Sequence, residues 1–290
     1  MRRLGSGAAS VMLAAAVLVV VALGGAAPAR AGSGQHPSGD AVEPALANRA
    51  AGLAALEAPV PLPADRAPRL LLAGDSVADT LVNALATEAA GRGATLARSV
   101  HAGCGLMPGL PTTRDRYTPP WASACANAAP EWRRQVAATP ADVVLVLATW
   151  DGSSRLVDGV FVDPATPDGR AAFVGMMRDL VESIAPSGSG RYVVLLAESI
   201  PARGAVTGDP SVERVVEARN HRAVLREVAQ GDPGRVRVVD LGQWLCPLGA
   251  PCPEIVDGVQ ARADDGGHFS PEGAAWIAPR ILDAIGLSPR

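Results

Sequence analysis

The chain has 290 residues, 48% of them apolar, which suffices for one α/β domain with a full core plus a short appendage. A formal net charge of −3 removes any electrostatic ground for a nucleic-acid partner. All 26 basic residues are Arg, and with the abundant Ala, Gly and Pro this reads as compositional bias without functional meaning.

Arg2 and Arg3 precede an uncharged, mostly apolar run from Val11 to Ala27, followed by Ala29-Arg30-Ala31. A basic start, an apolar stretch and a small-x-small site read as a secretory signal. The run is long for a cleaved signal and short for a spanning helix, and cleavage after Ala31 is favoured over an uncleaved anchor. Either outcome puts the remainder outside the cytoplasm, secreted or anchored by its N-terminal segment. Residues 32–66, rich in Ala, Pro and Gly, read as a linker with a short helix around Ala45–Leu56. One globular domain is expected over residues 67–290.

Within it, Arg69–Ala73 is a short apolar run ending at Gly74 and fits a buried strand. Ser76–Ala90 has helical spacing, with Val77, Leu81, Leu85 and Ala89 on one stripe. Thr95–Val100 is a second strand, and a Pro-rich loop leads to a helix over Pro130–Ala138 with Pro130 in its first turn. Asp142–Ala148 is the strongest strand. Arg170–Ile184 is a helix, Tyr192–Ala197 a strand, Val212–Ala229 a helix, Val236–Asp240 a fifth strand and Pro271–Ile285 a closing helix. Continuous Val/Leu runs alternating with amphipathic helices predict an α/β fold whose parallel sheet is covered on both faces. Functional groups of such sheets gather beyond the carboxyl ends of the strands.

Cys104, Cys125, Cys246 and Cys252 all lie downstream of the signal, and an even number in an exported chain implies two disulfides. Four cysteines allow three pairings. The local one, Cys104–Cys125 with Cys246–Cys252, is preferred because each closes a Pro-rich, turn-rich loop. A zinc site is the competing reading, but there is no CxxC and the one His close in sequence is His101, so no metal is expected.

The first strand is followed by Gly74-Asp75-Ser76 at the start of a helix. A serine there exposes its Oγ at a strand-to-helix turn, where the helix N-terminus stabilises developing negative charge. Taken alone, Asp75 or Ser76 could simply cap that helix. Before the last helix comes Asp264-Asp265-Gly266-Gly267-His268-Phe269-Ser270-Pro271. Asp265 and His268, three residues apart, could supply a base and the carboxylate that orients it. The segment also fits an Asx turn that ends in Ser270 as cap and Pro271 at the first helical position, a role compatible with catalysis.

GDS after the first strand and DxxH before the last helix together resemble the SGNH (GDSL-like) hydrolase superfamily over about Arg69–Leu287. The resemblance implies a flavodoxin-like three-layer α/β/α fold with a five-stranded parallel sheet, Ser76 as nucleophile, the Asp265/His268 pair as its base, and neither metal nor cofactor. The family's second block, a glycine whose N–H helps to bind the oxyanion, falls on Gly103, with Gly105 as the alternative. Its third block, normally Gly-x-Asn-Asp, here reads Ala148-Thr149-Trp150-Asp151, so Trp150 stands where the amide donor is usual. Trp150 is then either a substitute donor through its indole or a packing aromatic at the site wall. Asp151 either orients the nucleophile loop or holds the turn, and Asp75 supports the nucleophile from behind.

The Cys after the second block, the Trp in the third and Trp244-Leu-Cys-Pro-Leu-Gly-Ala-Pro-Cys-Pro look like the extracytoplasmic SGNH domain of acyltransferase-3 membrane proteins, which O-acylate surface glycans. That resemblance implies acyl, chiefly acetyl, esters of cell-envelope carbohydrate or small esters as substrates, hydrolysed or transferred, and a membrane acyltransferase as partner. The alternative is a non-catalytic envelope protein that keeps the fold to bind glycan or a partner. Of the other histidines, His36 in the linker and His221 on a charged helix face are read as solvated, and His101 as a neighbour of the site.

Overall fold

The computed structural model describes residues 59–198, 212–248 and 252–289. All of them belong to one compact unit, Pro44–Arg290. The signal and the helix expected around Ala45–Leu56 lie outside the described residues. Among those described, no helix is long and apolar enough to cross a membrane.

Five strands form the central sheet: β1 (Arg69–Gly74), β2 (Thr95–Val100), β4 (Val143–Leu147), β7 (Tyr192–Ala197) and β8 (Val236–Asp240). Their order is β2-β1-β4-β7-β8 and every pairing is parallel. Side chains alternate between the faces of a strand, and each face has its own core. Leu71, Ala73, Val144, Val146, Val193 and Leu195 point to one side, against α2 (Ala122–Ala138), α3 (Pro167–Ile184) and α4 (Val212–Gly231). Leu70, Leu72, Val143, Leu145, Val194 and Leu196 point to the other, against α1 (Ser76–Gly91), the short α5 (Gly242–Leu245) and α6 (Pro271–Ala284). Two cores on one sheet explain why its central strands β1, β4 and β7 are continuous apolar runs without a polar face, whereas the edge strand β2 is largely exposed. The result is the three-layer, flavodoxin-like arrangement expected from the sequence.

The body begins before residue 67. Val60 is buried in the α1/α6 core and donates its N–H to the Ile285 carbonyl, and Arg66 pairs with Asp142 at the entrance to β4. With Arg69 it holds the Asp142 carboxyl well below the usual carboxylate range.

Two sequence expectations are corrected. The helix placed at Pro130–Ala138 begins eight residues earlier, at Ala122, and Pro130 lies in its interior. Proline there cannot donate to the Ala126 carbonyl, a loss of about 3 kcal/mol in an exposed helix. Burial of Cys125, Ala129, Trp132 and Val136 holds the helix through it. His221, read as solvated, is only 7% exposed, because it shares the inward stripe of α4 with Val224 and Val228.

Two small sheets lie outside the elements expected from the sequence. β5 (Arg155–Val157) and β6 (Val160–Val162) form a hairpin joined to β3 (Leu110–Pro111), and β9 (Ile255–Val256) pairs with β10 (Val259–Gln260). Both hairpins turn on the same tetrapeptide, Val157-Asp158-Gly159-Val160 and Val256-Asp257-Gly258-Val259. Asp158 and Asp257 have φ of 50° and 51°, and the following glycines 80° and 79°. Asp-Gly with positive φ at both positions is the two-residue turn whose twist matches a hairpin.

Candidate active site

β1 lies between β2 and β4, so the chain leaves it to one side for β2 and later returns on the other for β4. A crevice opens at such a reversal, beyond the strand ends. The segments there are the Gly74-Asp75-Ser76 turn, the loop after β2, the 3-10 turn Thr149–Gly152 after β4, Glu198 after β7 and the 261–270 loop before α6.

The first turn is fixed by sterics. A Cβ on Gly74 would sit 1.9 Å from the Leu147 carbonyl oxygen, so only glycine lets β1 pass this close to β4. Asp75 is fully buried and caps α1, one oxygen accepting from the Val77 N–H at 3.0 Å. Its other oxygen accepts from the Thr149 N–H and hydroxyl, both at 2.6 Å, and from the Trp150 N–H at 3.2 Å. Burial pushes this carboxyl upward, opposed by the hydrogen bonds of Thr149, Val77 and Trp150. Asp75 therefore ties the turn carrying Ser76 to the turn after β4.

Asp151, expected to orient the nucleophile loop or hold its own turn, instead holds the loop after β2. Its carboxylate accepts from the N–H groups of Leu106 and Met107 at 3.0 and 2.9 Å. Arg155, equally buried, donates to the carbonyls of Pro108, Trp150 and Met107 at 2.8, 2.9 and 3.2 Å and lies 3.5 Å from Asp151. One charge takes the donors of the loop and the other its acceptors. Gly105 is glycine because a Cβ would come within 2.1 Å of the Asp151 carboxylate. Gly103 has φ 73° with open space where a Cβ would be. The Cys104–Cys125 disulfide ties the same loop to α2, and Cys246–Cys252 closes the loop after β8. Both pairings match the local one preferred from the sequence.

His268 arrives on a hairpin-like return. The Ala263 N–H donates to the His268 carbonyl at 2.9 Å, and Arg262 bridges to Phe269. Ser270 then caps α6, accepting from the Gly273 N–H at 2.8 Å, with Pro271 in the first turn. One Asp265 oxygen accepts from the N–H groups of Gly267 and His268 at 2.9 and 3.0 Å, which is the expected Asx turn. The other meets His268 Nδ1, and His268 Nε2 lies 2.8 Å from Ser76 Oγ. Residues 192 positions apart are thus joined in one hydrogen-bonded chain, Ser76 to His268 to Asp265. Desolvation works to raise the Asp265 carboxyl, but the His268 ring and the two N–H groups hold it below its ordinary value.

Several supporting residues were not found in the sequence. Arg262, 3% exposed, donates to the Gly267 carbonyl at 2.6 Å, lies over the Phe269 ring at 4.3 Å and stands 3.7 Å from the Glu198 carboxylate. It joins the end of β7 to the loop carrying His268. Burial pushes Glu198 up to about 7, against the pull of Arg262, with Asp75 adding to the rise. His221 lies against the turn after β4, where a Cβ on Gly152 would meet its own Cβ at 2.9 Å. Burial and the charge of Arg155 push the ring down to about 4, and its Nε2 has no hydrogen-bond partner among the described residues. His101 lies against Trp132 at 4.6 Å between ring centroids. The Trp150 ring meets Trp121 edge-on at 4.6 Å with the Arg214 guanidinium 5.3 Å from its centroid. Among the described residues no group of His, Cys, Asp and Glu is arranged to hold a metal ion, and all four cysteines are in disulfides.

A family model described as SGNH domain (fused to AT3 domains) matches residues 47–283. No curated protein matches the chain by sequence. Among solved structures the chain is similar to the salicylyl-acyltransferase SsfX3 from a tetracycline biosynthetic pathway, with 15% identity and a TM-score of 0.46. That match covers 78% of this chain and 57% of SsfX3, so the chain spans little more than half the length of that protein. It is similar to the periplasmic domain of the Salmonella ser. Paratyphi A lipopolysaccharide acetyltransferase at 12% identity and TM-score 0.48, covering 76% and 82% of the two chains. Est24, a carbohydrate acetylesterase from Sinorhizobium meliloti, matches at 14% identity and TM-score 0.48, covering 76% and 98%.

Proposed function

Since the chain belongs to the family of SGNH domains fused to AT3 domains, a class of ester-acting hydrolases and acyltransferases, we propose that it is an extracytoplasmic serine esterase or O-acyltransferase working through an acyl-enzyme. The observation that carries this reading is the continuous Ser76–His268–Asp265 hydrogen-bond chain at the switch point of the sheet.

The geometry supports the following sequence. With the ring proton on Nδ1 directed at Asp265, His268 Nε2 is free to take the Ser76 hydroxyl proton. Ser76 Oγ attacks the ester carbonyl, and the carbonyl oxygen becomes an oxyanion. The Ser76 N–H, in the first turn of α1 and so without an acceptor inside the helix, binds that oxyanion together with the Gly103 N–H, the second donor that the family resemblance implies. His268 returns its proton to the leaving alkoxide, leaving the acyl group on Ser76. A water molecule or a sugar hydroxyl, deprotonated by His268, then releases the acyl group and restores the serine. Asp265 keeps the imidazolium oriented and charge-balanced in both halves.

The substrate class follows from the family resemblance: small acyl groups, chiefly acetyl, on cell-envelope carbohydrate, with a membrane acyltransferase as the partner that supplies or receives them. Two disulfides support an oxidising, extracytoplasmic setting. The N-terminal signal, cleaved after Ala31 or retained as an anchor, provides the route.

The test is hydrolysis of p-nitrophenyl acetate by the chain from Gly32 onward, beside Ser76→Ala and His268→Ala. We expect turnover in the parent and a loss of about a thousandfold or more in each variant, with any residue coming from oxyanion binding alone. Parent turnover that survives Ser76→Ala would sink the serine mechanism.

A further inference from the structure

Ser76 and His268 come from different elements, α1 and the 261–270 loop, and an Oγ–Nε2 distance of 2.8 Å requires the two to be held in register. The contacts described above fix His268 within its own loop or toward the sheet. Asp265 takes its N–H, the Ala263 N–H takes its carbonyl, and Arg262 holds the preceding Gly267 carbonyl while facing Glu198. These contacts do not reach α1. Apart from Ser76 to His268 itself, one hydrogen bond joins α1 to this loop among the described residues. The Phe269 N–H donates to Thr80 Oγ at 3.3 Å.

Thr80 suits that task chemically. It lies four residues after Ser76, about one helical turn on, so the two side chains share a face of α1. A helical side chain leans back over the preceding turn, which carries this hydroxyl toward the nucleophile's end of the helix. Its single proton goes to the Val77 carbonyl at 2.7 Å, a back-bond that fixes the rotamer. What the hydroxyl then turns outward is a lone pair, and the Phe269 N–H donates to it. Phe269 is 3% exposed, with its ring in the α1/α6 core beneath Arg262, so removing the hydroxyl strands a donor that water barely reaches.

We propose that Thr80 is a positioning residue for the reaction, a strut between the nucleophile's helix and the base's loop that sets the Ser76–His268 distance. The inference rests on the esterase or acyltransferase reading and adds a residue to its machinery. Thr80 acts through Phe269, the neighbour of His268, rather than on the reacting atoms. A displacement of about 1 Å between reacting groups can cost about a hundredfold in rate, so this single hydrogen bond has leverage beyond its own strength.

The test separates the hydroxyl from the methyl group. Thr80→Val keeps the shape and nearly the same helix propensity but loses the hydroxyl, whereas Thr80→Ser keeps the hydroxyl and loses the methyl. With p-nitrophenyl acetate, Thr80→Val should lose about tenfold or more in kcat with KM unchanged, and Thr80→Ser should stay within about twofold of the parent. A packing role predicts the opposite order. Thermal melts check that both variants are folded at the assay temperature; if Thr80→Val is not, Thr80→Ala against Thr80→Ser makes the same comparison. Parental kcat in the variant without the hydroxyl, or a Thr80→Ser equally slow, overturns the strut. Ring NMR signals read the same contact without turnover, since the chain has only four histidines and His268→Ala identifies the one that matters. Ser76→Ala removes the partner of Nε2 and gives the signal of a ring that has lost its contact. If the parent shows no turnover, or turnover survives Ser76→Ala, the catalytic reading fails by itself and the spectra decide the strut. A His268 signal moved toward the Ser76→Ala position by Thr80→Val and left in place by Thr80→Ser then upholds it, and any other pattern overturns it.

Discussion

Asp265 divides its two oxygens between two tasks, and the division makes a prediction at the scale of one atom. One oxygen holds the backbone of its own turn and the other faces His268 Nδ1. Asparagine can keep the first contact with its carbonyl oxygen, so the turn survives. Its NH₂ then faces Nδ1 and stabilises the tautomer with the proton on Nε2, which cannot accept from Ser76. Asp265→Asn should therefore lower kcat for p-nitrophenyl acetate by about 10³–10⁴ with KM and thermal midpoint nearly unchanged. A fall of less than tenfold would mean that His268 is oriented by something other than this carboxylate. Asp75, by contrast, spends its hydrogen bonds on backbone and Thr149 and none on His268. It accepts four hydrogen bonds from three residues and acts by holding two turns together.

The loop after β2 depends on a buried ion pair rather than on secondary structure of its own. Removing one member leaves the other uncompensated in a dry site, which costs about 3–5 kcal/mol. Asp151→Ala should destabilise by that amount in urea unfolding and should also reduce turnover, since the freed loop carries Gly103. Adding Arg155→Met should recover much of the stability, and little of the turnover. If the double variant is no more stable than the single one, the cost lies in the lost N–H contacts and not in the stranded charge. The same loop shows what a sequence reading reaches and where it stops. The sheet was legible because Leu70–Leu72, Val143–Leu147 and Val193–Leu196 are buried on both faces and so read as unbroken apolar runs. Asp265 and His268 were legible because they are three residues apart in one turn, and Ser76 because it follows a strand and a glycine. Asp151 with Leu106, Asp75 with Thr149 and Glu198 with Arg262 are pairs from different loops, brought together only by the strand order. The paired Val-Asp-Gly-Val hairpins carry their turn signal in the Asp-Gly dipeptide itself. The charges beside His221 suggest a solvated face, whereas its spacing to Val224 and Val228 marks the inward one.

At the scale of the whole molecule, two buried groups near the site pull stability in opposite directions as pH changes. Glu198, 15% exposed at its side chain, titrates at about 7 in the folded chain against 4.5 for the free group. Between those values the folded state keeps a proton that the unfolded state has lost, so stability falls as pH rises. His221 titrates at about 4 against 6.5 for the free group. Between those values the unfolded state binds a proton that the folded state refuses, so stability rises with pH. From pH 5 to 6.5 each slope amounts to about 2 kcal/mol by the linkage relation, and the two nearly cancel. The parent should therefore unfold at about the same urea concentration at both pH values. Glu198→Gln removes the falling contribution and should be more stable at pH 6.5 than at pH 5 by about 2 kcal/mol; His221→Gln should show the reverse. Curves that stay flat in both variants would mean that the parent's constancy is not a cancellation. In that case Glu198 is ionised beside Arg262 throughout, and the Arg262 bridge to the His268 loop is a permanent ion pair that pH does not reach.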